Sequence, residues 1–235
     1  MENTFADKII DFYLNLKQPE KLPSGVEVLI PFKKPEVKSV IHKFYTKFYS
    51  DNNPRIFLIG INPGRFGAGI TGINFTDPFR LREKCGITEN FEEGKSGTVK
   101  ELSSDFVYRM IDAFGGTEKF FGKFYLAALS PLGYVRDGKN FNYYDINGLP
   151  EMLDMWMADS MRKQIAAGAD VSVGFSMGMG ENFRQLEKFN SRHSFFDRVE
   201  KLPHPRWIMQ YRRRRLDEYI ELYVNTLNKE AAEYE

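Results

Sequence analysis

The run Ile56-Phe57-Leu58-Ile59-Gly60-Ile61 carries no polar side chain and passes straight into Asn62-Pro63-Gly64. Side chains of a strand alternate between two faces, so a strand apolar on both must be covered on both. Arg55–Ile61 therefore predicts a strand inside a parallel sheet. Three further short apolar runs fit the same role: Lys123–Leu129, Ala169–Phe175 and Asp197–Leu202. Helical spacing of apolar residues lies between them, over Asp105–Phe114, Leu149–Ala167 and Ser176–Phe189. Asp217–Leu227 adds a closing helix, and two more are expected near Thr4–Leu16 and Pro35–Tyr49. Strands alternating with helices predict an α/β fold with helices on both faces of the sheet. No internal repeat or linker divides the 235 residues, so one domain is expected over 1–235, with a helical extension over 1–50 and a C-terminal helix and acidic tail over 216–235.

Two stretches break this rhythm. Pro63–Lys100 is long, glycine-rich and poorly periodic, and Pro131–Gly148 holds Gly133, Gly138 and several aromatics. Loops of such length in a compact domain are usually functional or contain short helices.

Composition excludes several classes. The chain is 42% hydrophobic and 28% charged, as a globular protein is. Cys85 is the only cysteine, so neither an internal disulfide nor a cysteine-held iron–sulfur cluster can form. The three histidines, His42, His193 and His204, share no metal-ligand spacing, and no metal is expected. With no apolar run of membrane-spanning length and an acidic start, the expected setting is the cytoplasm, away from membranes. A net charge of +1 does not mark a nucleic-acid binder, but the charge is uneven: Arg212, Arg213, Arg214 and Arg215 are consecutive, with Arg206 just upstream.

The loop Asn62–Gly69 follows a strand, where α/β sheets bind ligands. Its glycines allow close backbone approach, and Pro63 holds Asn62 extended. It is neither a phosphate-binding Gly-Lys-Ser/Thr loop nor a GxGxxG turn. Gly60-Ile61-Asn62-Pro63-Gly64-Arg65-Phe66-Gly67, followed by Thr71-Gly72-Ile73-Asn74-Phe75, resembles the first active-site motif of the uracil-DNA glycosylase superfamily, most closely its single-strand-selective monofunctional branch. His204-Pro205-Arg206 resembles that branch's second motif, His-Pro-Ser-Pro-Arg, shortened by two residues. Phe120-Phe121, Leu129-Ser130-Pro131-Leu132 and Val173-Gly174 extend the likeness, which runs from about Arg55 to Arg215.

The resemblance implies a three-layer αβα sandwich with a four-stranded, mostly parallel sheet. It also implies a monomer that flips a damaged base from DNA and hydrolyses its glycosidic bond without a cofactor. Bond cleavage leaves an oxocarbenium-like sugar and a negatively charged base, so a water must be held and the developing charge met. The resemblance gives Asn62 the water and His204 the base carbonyl. Phe75 stacks on the flipped base, and Ile61, Gly64 and Phe66 line the same pocket. Arg206 and Trp207 enter the duplex, with Arg212–Arg215 as phosphate contacts.

One position departs. Where the family has an Asn that reads the pyrimidine edge, this chain has Ala128. Asn74, Ser130 or Ser176 could replace it. Otherwise the substrate is not strictly uracil, and xanthine or hypoxanthine is the next choice. Two other functions stay open: a nucleic-acid-binding relative without catalysis, and a hydrolase of free nucleosides or phosphorylated ligands.

Overall fold

A computed structural model describes residues 3–91 and 100–232. The last part of the long Pro63–Lys100 stretch (residues 92–99) and the end of the acidic tail (residues 233–235) lie outside the described residues.

Helix α1 spans Phe5–Leu14 and opens on a capping box, Thr4 accepting from the Asp7 N–H while the Asp7 carboxylate accepts from Thr4. Strand β1 covers Glu27–Leu29 and α2 Pro35–Phe48. The expected central strand is β2, Arg55–Gly60, buried along its whole length. Two short helices follow it, α3 (Ala68–Thr71) and α4 (Pro78–Cys85), in a stretch where the sequence showed no periodicity. Then come α5 (Leu102–Phe114), α6 (Thr117–Phe121) and β3 (Phe124–Ala128). A hairpin of β4 (Gly133–Arg136) and β5 (Lys139–Phe141) precedes α7 (Leu149–Ile165). The chain ends with β6 (Ala169–Met177), α8 (Glu181–His193), β7 (Arg198–Leu202), α9 (Pro205–Tyr211) and α10 (Leu216–Ala232).

The main sheet has the order β3-β2-β6-β7, and all three of its pairings are parallel. Helix α1 packs on α2 and α7, while α5 packs on α9 and α10, so helices flank the sheet as expected of an αβα sandwich. Leu58 and Ile59, at its centre, are fully buried; truncating such a residue to Ala costs about 2–5 kcal/mol. Arg55 opens β2 with its guanidinium buried. It is met by both Asp51 oxygens at 2.8 and 2.9 Å and by the Phe121 carbonyl at 2.8 Å, as a buried charge requires.

The expected helix at Ser176–Phe189 starts later, because Ser176 and Met177 continue β6 in register with Lys201 and Leu202. A second sheet was not anticipated. It joins β1, β4 and β5 antiparallel, and Asp137-Gly138 turn the hairpin with φ of 51° and 69°, the left-handed pair that tight two-residue hairpin turns need. Gly133 lets β4 pack on the end of β2: a Cβ there would lie 2.2 Å from the Pro63 carbonyl oxygen.

Candidate active site

The C-terminal ends of β2 and β3, the hairpin and the start of α9 surround a cleft of about 460 Å³, a size suited to a small ligand. Ile61, Asn62, Gly64, Asn74, Phe75 and His204 all line it. The two halves of the resemblance, about 140 residues apart in sequence, are therefore brought to one place.

Asn62 stands just beyond β2, in a bend that ends the strand, with its side chain towards the end of β5 and the turn after it. Its Oδ1 accepts from the Tyr143 N–H at 3.1 Å and its Nδ2 donates to the Phe141 carbonyl at 3.4 Å. Both ends of the amide are thus oriented by the hairpin side of the cleft. Phe75 is held just as firmly. Its φ of 56° is uncommon for a residue with a side chain, and the turn around it explains why it persists. Thr71 Oγ1 donates to the Thr76 carbonyl at 2.7 Å and accepts from the Ile73 N–H at 3.1 Å, and Thr76 Oγ1 bonds the buried Tyr108 hydroxyl at 2.9 Å. Gly60 leaves room for the ring: a Cβ would come within 2.6 Å of Phe75 Cζ.

His204 precedes Pro205 and caps α9, its Nδ1 accepting from the Arg206 N–H at 3.1 Å. With Nδ1 used as an acceptor, the neutral ring carries its proton on Nε2. Desolvation first, and the Arg206 charge second, push its pKa down to about 4. At neutral pH His204 is an uncharged N–H donor in the cleft.

The rim is exposed. Trp207 is 38% accessible, with Tyr219 edge-on at 6.0 Å and the Arg212 guanidinium 4.8 Å from its ring centroid. Arg206 and Arg212–Arg215 are all exposed, but Arg215 is engaged by Glu218 at 2.6 Å, so it is the least available of the run.

Two expected pocket residues are elsewhere. Phe66 is 53% exposed beneath the Arg65 guanidinium and does not line the cleft. The Gly67 and Gly69 N–H groups both fold back on the Gly64 carbonyl, at 3.4 and 2.9 Å, and this tight turn points Arg65 and Phe66 outward. Ser130 is fully buried behind the cleft, bonded to the Leu132 carbonyl at 3.0 Å and the Tyr134 hydroxyl at 2.9 Å. Ser176 is likewise committed, to the Gly178 carbonyl at 2.8 Å and Asn182 at 3.0 Å. Of the three replacements considered for the missing Asn, only Asn74 reaches the cleft; Ala128 lines it with a methyl group.

Sequence reading missed Glu101, Asn140, Asn142, Asp145 and Gln210, which also line the cleft. Asp137-Gly138 was the available signal for the hairpin that carries Asn140 and leads into Asn142 and Asp145. Glu101 is placed by capping α5, its carboxylate accepting from the Ser104 N–H at 3.0 Å, while Gln210 follows no motif.

A family model of the uracil DNA glycosylase superfamily matches residues 46–228. The crystal structure of wild-type SMUG2 from Pedobacter heparinus is similar over 96% of this chain and 97% of its own, with a TM-score of 0.90 and 40% sequence identity. No curated protein matches.

Proposed function

Because this chain belongs to the uracil DNA glycosylase superfamily, we propose that it is a monofunctional DNA glycosylase that takes a deaminated base, uracil first, into the cleft and hydrolyses its N-glycosidic bond. In this reading the base stacks on Phe75 while His204 Nε2–H donates to a carbonyl of the departing base. As the C1′–N bond breaks, its electron pair moves onto the base. A fixed neutral donor of this kind is worth roughly 10²–10³ in rate. Asn62, oriented from both ends, holds the water that adds to C1′; the water's proton leaves to solvent, since an amide is no base. Trp207 and Arg206 occupy the gap left by the flipped nucleotide, and Arg212–Arg214 meet phosphates.

The observation that carries this reading is the state of His204: uncharged, with Nδ1 occupied, in the same cleft as Asn62 and Phe75. The absence of lysine among the described lining residues supports hydrolysis without a lyase step, which would need an amine nucleophile. The test is single-turnover excision from oligonucleotides carrying uracil, xanthine or hypoxanthine, single- and double-stranded. Wild-type product that falls at least about tenfold in both Asn62→Ala and His204→Ala supports the assignment. Binding without product on every substrate leaves a DNA-binding relative instead.

A further inference from the structure

A directional chain of hydrogen bonds begins at a helix carbonyl and ends in the cleft. Gln164 Nε2 donates to the Ser160 carbonyl at 3.3 Å, which leaves Gln164 Oε1 to accept from the Tyr125 hydroxyl at 3.1 Å. Tyr125 has spent its one proton, so in its 3.0 Å contact with Tyr13 it accepts. Tyr13 has then spent its own proton, and its oxygen accepts from Asn74 Nδ2 at 3.2 Å. Nδ2 also donates to the Leu126 carbonyl at 3.2 Å, and a carbonyl can only accept, so the amide cannot be turned round. Burial raises the pKa of both tyrosines, keeping the chain protonated and its direction fixed. Asn74 is 6% exposed and lines the cleft beside Phe75. Among the described residues no partner is seen for its Oδ1.

We infer that Asn74 reads the flipped base through Oδ1 alone, as a hydrogen-bond acceptor whose polarity is set from the core by the Leu126 carbonyl together with Tyr13, which Tyr125 keeps as an acceptor. This deepens the proposed function and rests on it for the identity of the substrate. Its consequence is chemical. Deamination turns cytosine N3 and adenine N1 from lone pairs into N–H groups, giving uracil and hypoxanthine. A fixed acceptor accepts those N–H groups and repels the lone pairs of the parent bases. Guanine already bears N1–H, so this contact does not exclude it. Because Nδ2 is held in the core, Asn74 cannot also donate to the neighbouring carbonyl. One contact in place of two makes the site a reader of the ring N–H shared by deaminated bases, with the methyl of Ala128 adding no polar contact.

The experiment compares uracil with pyrimidin-2-one, a smaller base whose N3 is a lone pair, each on a 2′-fluorinated sugar that resists hydrolysis. Dissociation constants are measured by anisotropy for wild type, Asn74→Ala and the near-isosteric Tyr13→Phe, with thermal melting as the check on folding. The expected wild-type preference for uracil is at least about tenfold, shrinking to within about threefold in Asn74→Ala and to an intermediate value in Tyr13→Phe. Equal loss of affinity for both bases, leaving their ratio intact in both variants, would overturn the inference. Cleavable versions of the oligonucleotides separate the two readings: the binding preference without excision removes the hydrolytic assignment and leaves Asn74's role standing.

Discussion

The inner wall of the cleft and its rim are built in opposite ways. On the wall, Asn62, Asn74, Phe75 and His204 each have their orientation set by bonds to backbone or by a constrained turn. On the rim, Trp207 and Arg212–Arg214 are exposed, touching mainly other rim or surface groups. Groups that must meet a developing charge lose their value if they have to reorganise at that moment, so rigidity belongs at the wall. Groups that meet a flexible polyanion act through net charge and contact area and tolerate mobility. The contrast predicts that wall substitutions change the chemical step, whereas rim substitutions change affinity and its salt dependence.

The largest separation is expected at His204. His204→Ala should lower the single-turnover rate by roughly 10²–10³ while affinity for product DNA changes by less than about threefold. Its titration sharpens the point. The folded pKa of about 4 lies below the ordinary 6.5, so protonation favours unfolding. Stability and activity attached to this group are whole above 6.5, and stability declines as pH falls from 6.5 towards 4. The rate should show no inflection near 6.5 and should first fall as pH approaches about 4; an inflection near 6.5 would place His204 in water rather than in a desolvated wall. Next, Gly60→Ala forces the Phe75 ring out of place, and with stacking worth about 1–3 kcal/mol the rate should drop by about tenfold or more. On the rim, Arg213→Ala and Arg214→Ala should each reduce the slope of log affinity against log salt by about one, leaving the saturated rate unchanged. A rate that fell with them would erase the distinction. The smallest effect is expected at Ser130→Ala, which leaves excision within about twofold and costs about 1 kcal/mol of stability through the lost bonds to Leu132 and Tyr134.

The wall was more legible in sequence than the hairpin and the remaining lining. Ile56–Ile61 announced a doubly covered strand because burial on both faces leaves no polar side chain, and Asn62-Pro63-Gly64 announced the loop beyond it. The role proposed for Phe75 rests on resemblance, and its left-handed backbone does not show in residue type. Phe66 misled because its turn depends on hydrogen bonds to the Gly64 carbonyl, which spacing does not encode. The short strands β1, β4 and β5 were missed because three or four residues give alternation too little length to register, although Asp137-Gly138 marked the turn. The tyrosine chain behind Asn74 joins residues from four separate elements and loops, and only the folded structure aligns it.

The most direct measurement incubates excess protein with a uracil-containing oligonucleotide and counts free uracil against abasic sites, before and after alkali. The account predicts one free uracil for each alkali-labile site, in a strand that stays intact until alkali is added. Bound DNA that releases no base, or a strand already cut at the abasic site before alkali, would contradict it.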